Sequence, residues 1–161
     1  MDALSQLEWL LRTFGRMHQN ILSVKDEQNG LSEATHPVIL FVIRYDMKDM
    51  KASQKEIADE IGISPSTVAI SIKRMEKAGL LRKVQDENDL RRNLITLTEK
   101  GLTFTDRLHD VAEEVDRGIF KGFTEEELDQ LKAYYNRMID NLEEMGAKVP
   151  VNLRKKSLNK G

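Results

Sequence analysis

Residues 53–79, SQKEIADEIGISPSTVAISIKRMEKAG, constrain the fold more than any other stretch of this chain. Ser53 followed by Glu56 forms a capping box, in which hydroxyl and carboxylate each take a backbone N–H of the opening turn. The segment KEIADEI carries a helix that Gly62 ends. Ser64 then caps a second helix with Pro65 at its first position, where a proline forfeits no intrahelical bond. That helix runs to Lys77 or Ala78, and Gly79 stops it. Only Gly62 and Ile63 separate the first helix from the second helix's cap, so the two must fold against each other as helix, tight turn, helix.

Geometry assigns the faces of the second helix. At about 100° per residue, Val68, Ile72, Met75 and Gly79 share one face, which packs on the first helix. The opposite face presents Ser66, Ile70, Lys73 and Lys77, with Thr67, Ala69 and Arg74 at its flanks. Small hydroxyl residues at the N-terminal end permit close approach to a DNA duplex. Basic residues further along meet phosphates, and a helix of this width fits the major groove. The N-terminus at Ser64 can also hold a phosphate on free backbone N–H groups. Alone, Ser66, Thr67, Lys73 and Arg74 would read as a solvated face; their coupling to the tight turn and to a strand-loop-strand segment beyond Leu80 favours the DNA-facing reading.

After Leu80 the period changes. LRKVQ at 81–85 and NLITLT at 93–98 read as strands, joined by the polar stretch DENDLRR. Between Ser64 and Arg92 there are seven basic residues against four acids, an excess of three in a chain whose net charge is −2. Such a local footprint bears on phosphate contact more than the global sum does.

In this setting Asp89, Arg91, Leu97 and Thr98, followed by Glu99, Lys100 and Gly101, spell Asp-x-Arg-x5-Leu-Thr. The chain therefore resembles the MarR family of winged helix-turn-helix regulators, and the likeness extends to about Lys148. The resemblance implies that Arg91 enters the minor groove from the wing tip and that Asp89 orients its side chain by a charge-assisted hydrogen bond. The competing reading of this pair is a surface salt bridge worth about 0–1 kcal/mol. The expected DNA contacts are Ser64, Ser66, Thr67, Ile70, Lys73, Arg74, Asp89, Arg91 and Arg92. Many family members carry a basic residue where this chain has Ile70, which can touch thymine methyls but cannot read a guanine edge.

The ends of the chain carry apolar stripes. Leu4, Leu7, Leu11, Phe14 and Ile21 line one face of a helix over 3–24, and Trp9, Leu10 and Leu22 add more apolar surface than one core contact needs. QNGLS at 28–32 is a loop, and a helix then starts at Ser32 or Thr35, with Pro37 in its first turn if Thr35 is the cap. VILFVI at 38–43 could be a buried strand by composition; its flanks favour helix. Thr98 caps a later helix with Phe104, Leu108, Val111 and Val115 on one face, interrupted at Gly118 and Gly122. Thr124 and Glu127 form a second capping box. The last helix spaces Leu128, Leu131, Tyr135, Met138, Leu142 and Met145 as a coiled-coil-like seam. From Lys148 onward come five basic residues and no acid, read as a basic tail.

The expected fold is thus mainly α with a small β wing: a winged helix-turn-helix over 32–101, flanked by an N-terminal dimerisation helix and loop over 1–31 and C-terminal dimerisation helices over 102–147, with the tail at 148–161. One recognition helix reads few base pairs, so a homodimer on a palindromic operator is expected, with half-sites about 34–36 Å apart. The resemblance implies a regulator, a repressor more often than an activator, that responds to a small aromatic or phenolic effector in a cleft near Arg16, His18 and His36. A non-sensing architectural DNA-binding protein is the alternative.

Cysteine is absent, which excludes disulfides, thiolate metal sites and thiol redox switches and makes a cytoplasmic setting the expectation. No run of about eighteen apolar residues exists to span a membrane. His18, His36 and His109 show no H-x3-H or HExxH spacing, so no metal or cofactor is expected. There is no nucleophile–base constellation or phosphate loop, so no enzyme is expected either.

Overall fold

The computed structural model describes residues 2–148. The basic tail expected over 148–161 lies, but for Lys148, outside them. The order of elements is α1 (Ala3–Gln28), α2 (Pro37–Phe41), β1 (Lys51–Ala52), α3 (Gln54–Ile61), α4 (Pro65–Lys77), β2 (Leu81–Gln85), β3 (Asn93–Leu97), α5 (Glu99–Ile119) and α6 (Glu125–Glu144). The protein is mainly helical with one small antiparallel sheet, as expected.

Local chemistry explains most of the boundaries. Both capping boxes form, at Ser53 with Glu56 and at Thr124 with Glu127. Gly62 closes α3 in the left-handed region at φ 76°, which a side chain would resist. Ser64 accepts from the Thr67 N–H to open α4, with Pro65 first in the helix. The 38–43 segment is helical: α2 passes into a π-helical turn over Val42–Asp46, burying Ile39, Leu40, Val42 and Ile43. Its cap is His36, one residue beyond Thr35, and His36 makes no side-chain capping bond. The first helix runs past residue 24 to Gln28, where the Asn29 side-chain amide donates to the Lys25 carbonyl. The fifth helix likewise passes Gly118, where an added Cβ would meet open space, and ends at Ile119.

The sheet has the order β1-β3-β2. Lys51 pairs with Thr96, and Leu81 through Gln85 pair with Leu97 back to Asn93. The two-residue β1 was not expected. It follows a turn in which Asp49 and Met50 both take positive φ, a costly conformation for residues with a Cβ. The Thr96 hydroxyl donates to the Met50 carbonyl at 2.8 Å, tying that turn to the sheet.

One core joins these elements. Leu31, Ile39, Leu40, Ile43, Ile57, Val68, Ile72, Met75, Leu80 and Ile95 are buried together, and Phe104, Leu108 and Val111 of α5 complete the cluster. Val68, Ile72 and Met75 thus occupy the inner face the helical period assigned them. The buried polar side chains are satisfied: Thr105 donates to the Gly101 carbonyl at 2.7 Å, and Ser71 meets the His36 ring. No buried side-chain nitrogen or oxygen among the described residues lacks a partner. By contrast α1 and α6 contribute no buried residue.

Candidate nucleic-acid interface

The junction that carries the interface is built around Thr98. Its hydroxyl donates to the Gly79 carbonyl at 2.5 Å and accepts from the Gly101 N–H, while its own N–H donates to the Leu80 carbonyl at 3.1 Å. One residue therefore ties the end of α4, the end of β3 and the start of α5. Lys100 reinforces it, its ammonium reaching the Ala78 carbonyl at 2.7 Å and Glu33 at 2.8 Å. Gly101 is needed by contact: an added Cβ would stand 2.0 Å from the Leu80 carbonyl oxygen. The Leu-Thr-Glu-Lys-Gly half of the sequence signature is thus architectural.

On α4 the outward face is as the period placed it. Ser64 and Ser66 are exposed and Thr67 half-buried, and their hydroxyls cluster at the helix N-terminus, with Ser64 Oγ 3.0 Å from Ser66 and 2.7 Å from Thr67. Ile70 projects at 56% exposure, high for a residue of its kind, midway along the face. Lys73 and Arg74 are exposed and have no ion pair among the described residues. The neighbouring Glu76 instead holds Lys83 of β2 at 3.6 Å, fastening the hairpin to the helix.

The wing separates three residues that the sequence grouped. Asp89 accepts from the backbone N–H of Arg91 at 3.0 Å and gives its carbonyl to the Arg92 N–H at 2.9 Å. Its carboxylate shapes the turn, where the resemblance implied a grip on the Arg91 side chain. The Arg91 guanidinium is exposed and makes no ion pair among the described residues. Arg92 folds back, 3.7 Å from Glu56 on α3 and 3.9 Å from Asp86 on the wing. Hydrogen bonds from Ser53, with the Arg92 charge behind them, hold the Glu56 carboxyl below the ordinary glutamate range. Through these two contacts Arg92 links the wing to α3. Arg82, exposed on β2 opposite Thr96 of β3, adds a further cation to the basic footprint.

Behind the interface lies an open cavity of about 680 Å³ between α1, α2 and α5. His36 lines it and is also 2.6 Å from Ser71 Oγ, so cavity and recognition helix share a hydrogen bond. The other two histidines lie elsewhere: His18 stacks on Phe14 and His109 sits 3.4 Å from Glu113. Arg16 does not line the cavity. No group of three or more His or acidic residues suited to a metal occurs among the described residues, and no helix there is long and apolar enough to cross a membrane.

A tight helix pair whose second member faces outward, with a hairpin fastened at its flank, defines the class of winged helix-turn-helix proteins. Within that class, residues 29–92 of the chain match the sequence model of the MarR family. It is 25% identical over 134 residues to the uncharacterized HTH-type transcriptional regulator YybA of Bacillus subtilis (strain 168), spanning 83% of this chain and 89% of that one. It is 26% identical over 135 residues to the HTH-type transcriptional repressor IacR of Pseudomonas putida, spanning 84% and 78% respectively. The crystal structure of transcriptional regulator PA3341 shares the fold with a TM-score of 0.70 at 26% identity, over 86% of this chain and 98% of that chain.

Proposed function

We propose that this MarR-family regulator acts as a homodimeric, ligand-responsive repressor that reads a palindromic operator. The observation that carries the reading is the division of α4: its inner face is fully buried, while Lys73 and Arg74 on the outer face, and Arg91 at the wing tip, stand without ion pairs among the described residues. Cations left unpaired beside a groove-sized helix suit phosphate contact and minor-groove entry. Ser64, Ser66 and Thr67 would approach the duplex closely, and Ile70 would meet thymine methyls. Asp89 would act through the turn that presents Arg91, and Arg92 by holding the wing at its angle.

Dimerisation is supported by the exposed stripes of α1 and α6, and repression by the relation to IacR. The His36–Ser71 bond supports a ligand response, because an occupant of the cavity would touch a group that holds the recognition helix. Such an occupant acts only through different affinities for the DNA-competent and released states.

The test is binding to DNA flanking the protein's own gene, against random duplex, at two salt concentrations. The expected result is tight, salt-dependent binding to the native fragment, weakened by about tenfold to a hundredfold in Arg91→Ala. Equal binding of both duplexes would replace this reading with an architectural one, and no binding by a folded dimer would sink it.

A further inference from the structure

The cavity between α1, α2 and α5 has an unusual charge balance. Leu22, Leu31, Val38, Phe41 and Leu108 give it apolar surface, Asp26 and Glu27 give it carboxylates, and no lysine or arginine lines it. Most cations on the surrounding elements are committed elsewhere. Lys25 Nζ holds Glu114 at 2.6 Å, Arg44 holds Asp106 at 2.7 Å, Lys100 holds Glu33, and the Arg107 guanidinium donates to the Asn29 carbonyl. Arg16 is uncommitted but stands outside the lining.

Asp26 is the lining carboxylate that is partly buried and has no protein partner among the described residues. Its carboxylate is half-buried and makes no hydrogen bond or ion pair among the described residues, although its backbone carbonyl accepts from Leu31. Partial burial raises its pKa above the ordinary aspartate value, and no protein group among the described residues offsets that. An aromatic acid entering here would bring a third negative charge to a site with two. A cation would instead supply the missing partner, in surroundings where an opposite charge counts for more than in water.

We propose that this cavity takes an amphiphilic organic cation, an apolar or aromatic body bearing an ammonium group, with Asp26 as its counter-ion. The inference rests on the ligand-responsive reading above and gives that ligand its chemical class. The apolar walls take the body, Asp26 takes the head, and His36 carries the occupancy to Ser71 on α4.

A matched pair of probes tests it. Phenethylamine and hydrocinnamate share a phenyl ring on a two-carbon arm and differ in the charge at its end. Titration calorimetry on the full chain should show the amine binding at least about tenfold more tightly, a difference of about 1.4 kcal/mol. Asp26→Asn should erase that preference while keeping the fold, since it replaces an unpartnered carboxylate with an amide of the same shape; Glu27→Gln should keep most of it. Anisotropy with the native DNA fragment should show release by the amine. Tighter binding of the acid would overturn the cation class and leave ligand response standing. Binding of neither probe would overturn the proposal. Amine binding that Asp26→Asn weakens but that leaves DNA affinity unchanged would uphold the site and overturn ligand response instead.

Discussion

Two parts of this chain are equally helical and unequally buried. From Leu31 to Val115 the helices and the wing share a core in which Ile39, Leu40, Ile57, Val68, Ile72 and Met75 are sealed from water. The terminal helices α1 and α6 have no fully buried residue, although each carries an apolar stripe. Leu4 is 79% exposed, Trp9 58% and Leu142 53%. A surface helix of a self-sufficient domain turns its apolar face inward. Here the lobe has its core within one chain, whereas the terminal helices leave their stripes open, and the proposed homodimer would cover them with a second copy.

The largest expected effect tests that contrast directly. Placing charges on the two stripes, as Leu11→Asp with Leu142→Asp, should yield a monomer by analytical ultracentrifugation. Operator affinity should fall by about 10²–10⁴-fold, the scale on which two linked binding modules exceed one. The lobe should unfold cooperatively as before, since neither side chain belongs to its core. A variant that stays dimeric would break the comparison.

Next in size comes a pair of glycines on the same helix. Gly101 sits where α5 meets the lobe, and Gly118 where α5 leaves it. Gly101→Ala would press a Cβ into the Leu80 carbonyl and should cost about 3 kcal/mol or more in a urea melt. Gly118→Ala meets open space and should gain about 0.5–1 kcal/mol from helix propensity alone. Equal responses would mean that the two ends of α5 are not built differently.

The smallest effect sharpens the lobe side. The Glu56 carboxyl titrates below its ordinary value because Ser53 and Arg92 favour its charged form. The stability it lends is therefore present above the unfolded glutamate pKa and is lost as pH falls through the lower folded value. Melting temperatures of the native chain and of Glu56→Gln should differ near about pH 6 and converge toward about pH 3. A constant difference would mean that the carboxylate charge contributes nothing to the wing brace.

The same contrast marks what could be read from the sequence. Capping boxes, the Gly62 turn, the Ser64 cap and both main wing strands were legible because their causes lie within a few residues. The inner face of α4 was legible because helical period alone places Val68, Ile72 and Met75. Strand β1 was not, since two residues become a strand only by pairing with Thr96 and Ile95 far along the chain. Nor was the ion pair of Arg92 with Glu56, which lies on another element. The signature puts the Asp89 carboxylate in the wing turn, but it does not say whether that acid meets a guanidinium or, as here, the Arg91 backbone N–H. The cavity needed three helices at once, and only their packing left Asp26 without a partner.

The Thr98 junction has a mechanical consequence. Helix α5 runs from that joint toward the terminal region, and its first turn is bonded to the last residues of α4 through Thr98, Lys100 and the close seat of Gly101. A beam fixed so firmly at one end behaves as a lever with its fulcrum at Leu80. A swing of its far end would reach the end of α4 first through these bonds. In the proposed repressor, a push anywhere along α5 would therefore act on α4 from a distance.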